Sequence, residues 1–215
     1  MSLDSQDFEG VIPFMQPLNG LDLPRTGRQL AAQVHAYWAS LKGNRSAPLR
    51  TELNPCALDA ALPWFLVAER IAPGHARLRV AGSALSNLLG MEVRGMPGTI
   101  FIEPESRRSF MDTVERVITT AAVAEVSLIS TASYGRPKLG GHLTLWPLAS
   151  SPETTDRLLG FLYAPGGYGT APRRFSMGTP CFSTDLRPPV ALATSSDAPN
   201  EKRPPVRGGH LRVIK

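Results

Sequence analysis

Apolar positions follow two rhythms along the chain. From Thr26 to Leu41 they return every three or four residues, at Leu30, Val34, Tyr37, Trp38 and Leu41. That spacing predicts a helix with one apolar face. Thr26 offers an N-cap oxygen and Gly43 a stop. A polar connection containing Pro48, Pro55 and Pro63 follows, with a short helical turn expected at Leu58–Leu62. The rhythm then changes. Trp64–Ile71 is a short apolar run ending at the Pro73-Gly74 turn. In His75–Ala81, Leu78 and Val80 alternate with Arg77 and Arg79. These two runs read as a β-hairpin. Ser83, a plausible cap, opens a short helix through Leu89, closed by Gly90.

Residues 91–105 are broken by Gly95, Pro97, Gly98 and Pro104, leaving room for one or two helical turns. Ser106–Thr120 is amphipathic: Phe110, Val114, Val117 and Ile118 share a face, and Arg107, Arg108, Asp112 and Glu115 point elsewhere. Three strands complete the pattern. Val123–Ser133 sets Val126 and Leu128 against Glu125 and Ser127, and Tyr134-Gly135-Arg136-Pro137 supplies a turn. Leu139–Leu148 places Leu143 and Leu145 opposite His142 and Thr144. Leu158–Ala164 ends at Pro165-Gly166-Gly167. Two strands, a helical middle and three strands predict an α+β domain. Its core is a five-stranded antiparallel sheet with helices on one face and an N-terminal cap helix.

The ends differ from the middle. Residues 1–24 lack periodicity and carry a charge of −4, so a flexible acidic arm is expected. From about Arg173 periodicity is lost. The stretch 187–215 carries +4 and is rich in Pro and Ser. The organisation expected is a folded domain over 25–170, with 171–215 a mostly disordered basic tail. The net charge is +5 with a pI near 9.6. The basic residues of the middle are scattered with no aromatic interleaving, so they read as solvated surface and nucleic-acid binding is disfavoured. No apolar run is long enough to span a bilayer, and the N-terminus has no signal-peptide pattern. The expected location is cytoplasmic. Cys56 and Cys181 lie too far apart for a zinc site and read as ordinary thiols.

Catalytic patterns are weak. His35, His75, His142 and His210 sit in no metal-ligand spacing. Glu103 and Glu105 flank Pro104 and read as a solvated loop. Gly166-Gly167-Tyr168-Gly169 lacks the Lys-Ser/Thr and following helix of a phosphate loop and reads as a linker.

The ordered set Tyr37-Trp38, Gly43 to Arg50, Arg79-Val80-Ala81-Gly82-Ser83, Leu88-Leu89-Gly90, Gly95 and Leu145-Trp146-Pro147-Leu148 resembles a bacterial family of compact single-domain PAS proteins, over about residues 26–165. The resemblance implies a five-stranded sheet, a regulatory role and a small-ligand pocket between sheet and helices, or partner binding through the outer sheet face and first helix. A photoadduct flavin needs a cysteine on the helix after the hairpin, where this chain has Ser83–Leu89 with none. A haem-binding member offers a histidine on the long helix, and 106–120 contains none. No cofactor is therefore assigned. His142 reads as a surface or edge histidine. The pocket candidates are Leu66, Ala68, Leu78, Val80, Leu89, Phe101, Phe110, Val114, Val126, Leu128, Leu143 and Leu145, with Ser130 and Thr144 as polar additions. The same residues also suit a filled core. Leu30, Val34, Tyr37, Trp38 and Leu41 form the candidate interface, for a homodimer or another protein. The reading is a signalling domain that acts through protein–protein interaction, gated by a small apolar ligand. Two alternatives stand beside it: a ligand-binding α+β domain with enzymatic activity, and a nucleic-acid-associated regulator using Lys202, Arg203, Arg207, Arg212 and Lys215.

Overall fold

The structure is a computed structural model and describes residues 25–184. The expected acidic arm, and the basic tail beyond 184, lie outside the described residues. Helix α1 spans Arg25–Lys42, α2 Ser83–Leu89 and α3 Arg107–Thr120. The strands are β1 Phe65–Ala72, β2 His75–Ala81, β3 Val123–Ser130, β4 Leu139–Ser151, β5 Thr154–Tyr163, β6 Ser176–Met177 and β7 Cys181–Ser183. A 3-10 segment over Pro55–Trp64 joins the α1 region to β1. Thr26 lies inside α1 and does not cap it. Gly82, in extended conformation, is the residue before α2, so Ser83 is its first residue.

All strands join one antiparallel sheet in the order β2-β1-β5-β4-β3, with β6 and β7 both paired to the outer edge of β3. The five long strands are those the pattern predicts. The two short ones correct the expectation that structure is lost from Arg173. Strands of two and three residues are too short to show a period of two. They are held by tertiary contacts. The Arg173 N–H donates to Leu88 O, the Glu103 N–H to Phe175 O and the Phe175 N–H to Phe101 O. The Arg173 guanidinium is buried and donates to Tyr168 O and Pro137 O at 2.9 and 2.6 Å. Within the Gly166–Gly169 stretch the glycines are exposed, and Tyr168 is tied to the core by its ring and by the bond from Arg173.

Helices α2 and α3 cover one face of the sheet, and the N-terminal cap helix α1 lies on the other. On the inner face, α2 and α3 bury Leu85, Leu88, Phe110, Val114 and Val117 against Leu66, Leu78, Leu128, Leu143 and Leu145. On the outer face, α1 and the Pro55–Trp64 segment bury Ala31, Val34, Trp38, Leu58 and Ala61 against Phe65, Val67, Trp146, Leu159 and Phe161. Two indoles anchor α1. Trp38 Nε1 donates to Pro147 O at 2.8 Å, and Trp146 Nε1 donates to His35 Nδ1 at 3.0 Å. Each large apolar side chain fully buried there contributes about 1.5–3 kcal/mol.

A polar clamp fixes the hairpin to α3. Arg70 donates twice to the Glu115 carboxylate, at 3.0 and 2.7 Å, and the Gly74 N–H donates to the same group at 2.8 Å. Hydrogen bonding from Arg70, then from Gly74, holds the Glu115 pKa below its ordinary value.

Candidate functional site

The cavity between sheet and helices is built by alternation. Inward residues of β1, β4 and β5 supply Leu66, Ala68, Leu143, Leu145, Leu158 and Leu162. Strand β2 supplies Ala76 and Leu78. The turn Gly98–Phe101 with Ile102 and the α3 residue Phe110 close the top. Every lining residue is apolar. The enclosed volume is about 20 Å³, a little above the ~10–15 Å³ a single water needs. A Cβ at Gly98 would sit 3.2 Å from the Phe110 ring. The missing side chain there therefore lets the ring seat over the turn.

The pocket candidates divide three ways. Leu66, Ala68, Leu78, Phe101, Phe110, Leu143 and Leu145 line the cavity. Leu89, Val114, Val126 and Leu128 are buried in the same apolar cluster but do not line it. Val80 is a correction: it is 37% exposed. The hairpin register explains this. Val67 pairs with Val80 and Ala68 with Leu78, so Arg79 is an extra residue in β2. Such a bulge reverses the parity of every residue beyond it. Val80 thus points to the side of outer-face Val67 and not to that of Leu78. Sequence reasoning missed Ala76, Gly98, Ile102, Leu158 and Leu162 as lining residues. The alternation Leu158–Gly160–Leu162 carried the signal for two of them.

Thr144 is also a correction as a pocket group. It lies on the outer face with His142 and Trp146, paired to Phe161. His142 is 1% exposed, not a surface or edge residue, because β4 is an interior strand that places it between Ser127 of β3 and Tyr163 of β5. Glu125, on the face opposite Val126 and Leu128, is 7% exposed. Burial pushes Glu125 up to about 7 and His142 down to about 4.

The interface candidates divide too. Val34 and Trp38 are fully buried against the chain's own sheet. Leu30, Tyr37 and Leu41 are half-buried, and the Tyr37 hydroxyl accepts from the Asn54 N–H at 2.6 Å. Cys56 and Cys181 are free and exposed. Among the described residues no cluster of His, Cys, Asp and Glu could hold a metal ion. No helix among them is long and apolar enough to cross a membrane.

A family model described as a PAS domain matches residues 28–163, well over half of the chain. The chain belongs to the PAS domain family. Such domains are typically sensory rather than catalytic. No curated protein matches the chain. Solved structures similar to this PAS domain include the light state of the blue-light photoreceptor Aureochrome1 LOV. It is 18% identical, covers 51% of this chain and 87% of its own, and has a TM-score of 0.39. A LOV domain studied with a flavin analogue is 18% identical, covers 52% and 83%, and scores 0.41. The Vibrio cholerae VqmA–ligand–DNA complex is 17% identical, covers 53% and 52%, and scores 0.41. This chain therefore spans about half of VqmA.

Proposed function

We propose that this PAS domain is a signalling module that acts by protein–protein contact and not by catalysis, with its inner cavity as the point where a small apolar ligand gates that contact. The observation that carries this reading is the cavity lining. It is apolar throughout and presents no nucleophile, base or metal ligand to the interior. Transition-state stabilisation needs polar groups aimed at developing charge, and this cavity offers none. At about 20 Å³ it has room for little more than one water. Anything larger must spread the Gly98–Phe101 turn and α3, and that movement is the gate. A ligand that binds the spread arrangement better shifts the population toward it.

The contact surface in this reading is α1, with Leu30 and Leu41 still half-exposed on a helix seated on the outer face. The partner is a second copy of the chain or another protein in the cytoplasm. Native mass spectrometry and absorbance of the full-length protein test both halves of the reading. A bound small molecule supports the ligand gate. A dimer mass that is lost in Leu30→Asp, Leu41→Asp supports self-association through α1. A monomer with no bound molecule, and no partner recovered by α1-dependent pull-down, sinks the reading.

A further inference from the structure

Two loops meet at the end of the sheet where β3 passes to β4 and where the chain leaves β5. They are residues 131–138 and 164–175. They pack backbone to backbone. The Thr170 N–H donates to Gly135 O at 2.9 Å, and a Cβ at Gly169 would collide with that same oxygen. Each loop contributes a guanidinium. Arg136 donates from Nε to Thr170 O at 3.1 Å and from Nη2 to Ala171 O at 3.4 Å. Arg173 donates from Nη1 to Tyr168 O at 2.9 Å and from Nη2 to Pro137 O at 2.6 Å. The two side chains thus grip the same short stretch, residues 168–171.

Every one of these acceptors is a neutral carbonyl. Arg173 is 1% exposed, and its Nε has no hydrogen-bond partner. Neither Arg136, Arg173 nor the exposed Lys138 forms an ion pair among the described residues. The sequence gives the reason. Residues 126–152 and 158–184 hold Arg136, Lys138, Arg173 and Arg174 but no Asp or Glu. Buried charges are ordinarily matched by a counter-charge. Here burial, and then the charge of Arg136, lower the Arg173 pKa from its ordinary value. The result is a concentrated positive field that no carboxylate of these segments offsets. The glycine-rich stretch meets that field with open backbone. Gly166, Gly167 and Gly169 are exposed, and a Cβ at Gly167 would meet nothing. The N–H groups of Gly167, Tyr168 and Gly169 donate to no backbone acceptor among the described residues. Successive free N–H groups of this kind suit an anion.

We propose that the loop 166–170, with Arg136 and Lys138 at its rim and Arg173 beneath it, is a binding site for a phosphate group. In sequence this stretch lacks the lysine of a phosphate loop. The fold supplies the cations instead, from positions 136, 138 and 173. Arg136 Nη1 has no partner among the described residues, while the bonds from Nε and Nη2 fix the plane of the guanidinium. A guanidinium held in one direction matches an oxyanion better than a mobile point charge does. Arg173 is too deeply buried to touch a ligand. It acts through its field and by holding Tyr168 O and Pro137 O, which keeps the two loops together. A phosphate dianion offsets more of this charge than a carboxylate or chloride does, and that selects the class. The site shares no residue with the apolar cavity, and the inference does not rest on the signalling reading.

The test is a titration of the full-length, nitrogen-15-labelled protein with inorganic phosphate, with chloride holding the ionic strength constant. The amide shifts of Gly167, Tyr168 and Gly169 are expected to move together and saturate. Arg136→Gln is expected to weaken binding about tenfold or more, as the loss of a charge-assisted hydrogen bond does. Lys138→Gln breaks no hydrogen bond of the fold and is expected to weaken it by a smaller factor. If Arg136→Gln does not fold, Lys138→Gln decides. Repeating the titration with a nucleoside monophosphate identifies the source of the group. Tighter binding places the phosphate on a larger ligand, and equal binding makes free phosphate the ligand. Shifts that stay linear with concentration overturn the proposal. So do shifts spread equally over the amides of exposed Arg77 and Arg108, or a binding constant that is the same in wild type and the variants.

Discussion

Removing the Trp38 side chain tests whether α1 belongs to the domain or only lies beside it. Trp38 is fully buried, and its indole N–H donates to Pro147 O across the outer face. Trp38→Ala deletes one of the two buried indoles of that cluster and leaves a cavity between α1 and β4. Substitutions of this kind cost about 3–5 kcal/mol. That is a large share of the ~5–15 kcal/mol available to a domain. Trp38→Phe separates the two contributions. It keeps most of the ring volume but takes the donor from Pro147 O, for about 1–3 kcal/mol. Urea unfolding followed by far-UV circular dichroism gives both numbers. Alanine should lower the midpoint far more than phenylalanine, at an unchanged slope if unfolding stays two-state. A loss below about 1 kcal/mol for Trp38→Ala would refute the reasoning. It would mean that α1 is not seated on the sheet in solution and that its apolar face is free for a partner.

Other outcomes follow from single contacts. Gly82→Ala should be among the most damaging small substitutions, at about 3 kcal/mol or more by thermal unfolding, because a Cβ there collides with the carbonyl oxygens of Leu62 and Pro63. Ala121 closes α3 at φ 51°, a left-handed conformation costly for a residue with a Cβ, so Ala121→Gly should raise stability by about 1 kcal/mol. The Arg70–Glu115 clamp lowers the Glu115 pKa, so its stabilisation is present above the ordinary 4.5 and is lost as pH falls through the lowered value. Glu115→Gln should flatten that acid limb of a stability–pH profile. Leu78→Ala should cost about 2–5 kcal/mol and enlarge the inner cavity enough for benzene to raise the Tm of the variant but not of wild type.

The sequence by itself determined the order of the three helices and the five long strands, the pairing of the hairpin and most of the inner apolar layer. Those depend on local period and turn chemistry, which a chain carries in its own residues. It also placed His142, Thr144 and Trp146 on one face of a strand. Only the tertiary structure decided what that face meets. An alternating strand looks the same whether its second face is solvated or lies beneath a helix more than a hundred residues earlier, and the bonds from Trp38 to Pro147 and from Trp146 to His35 have that span. The reversal of Val80 was hidden for a related reason. A one-residue bulge changes parity without changing composition. The Arg70–Glu115 clamp joins residues that only packing of the hairpin on α3 brings together. Away from a bulge, local pattern settles which residues share a face, but the cost or benefit of a buried carboxyl and imidazole depends on what covers them, and that is a property of the assembled fold.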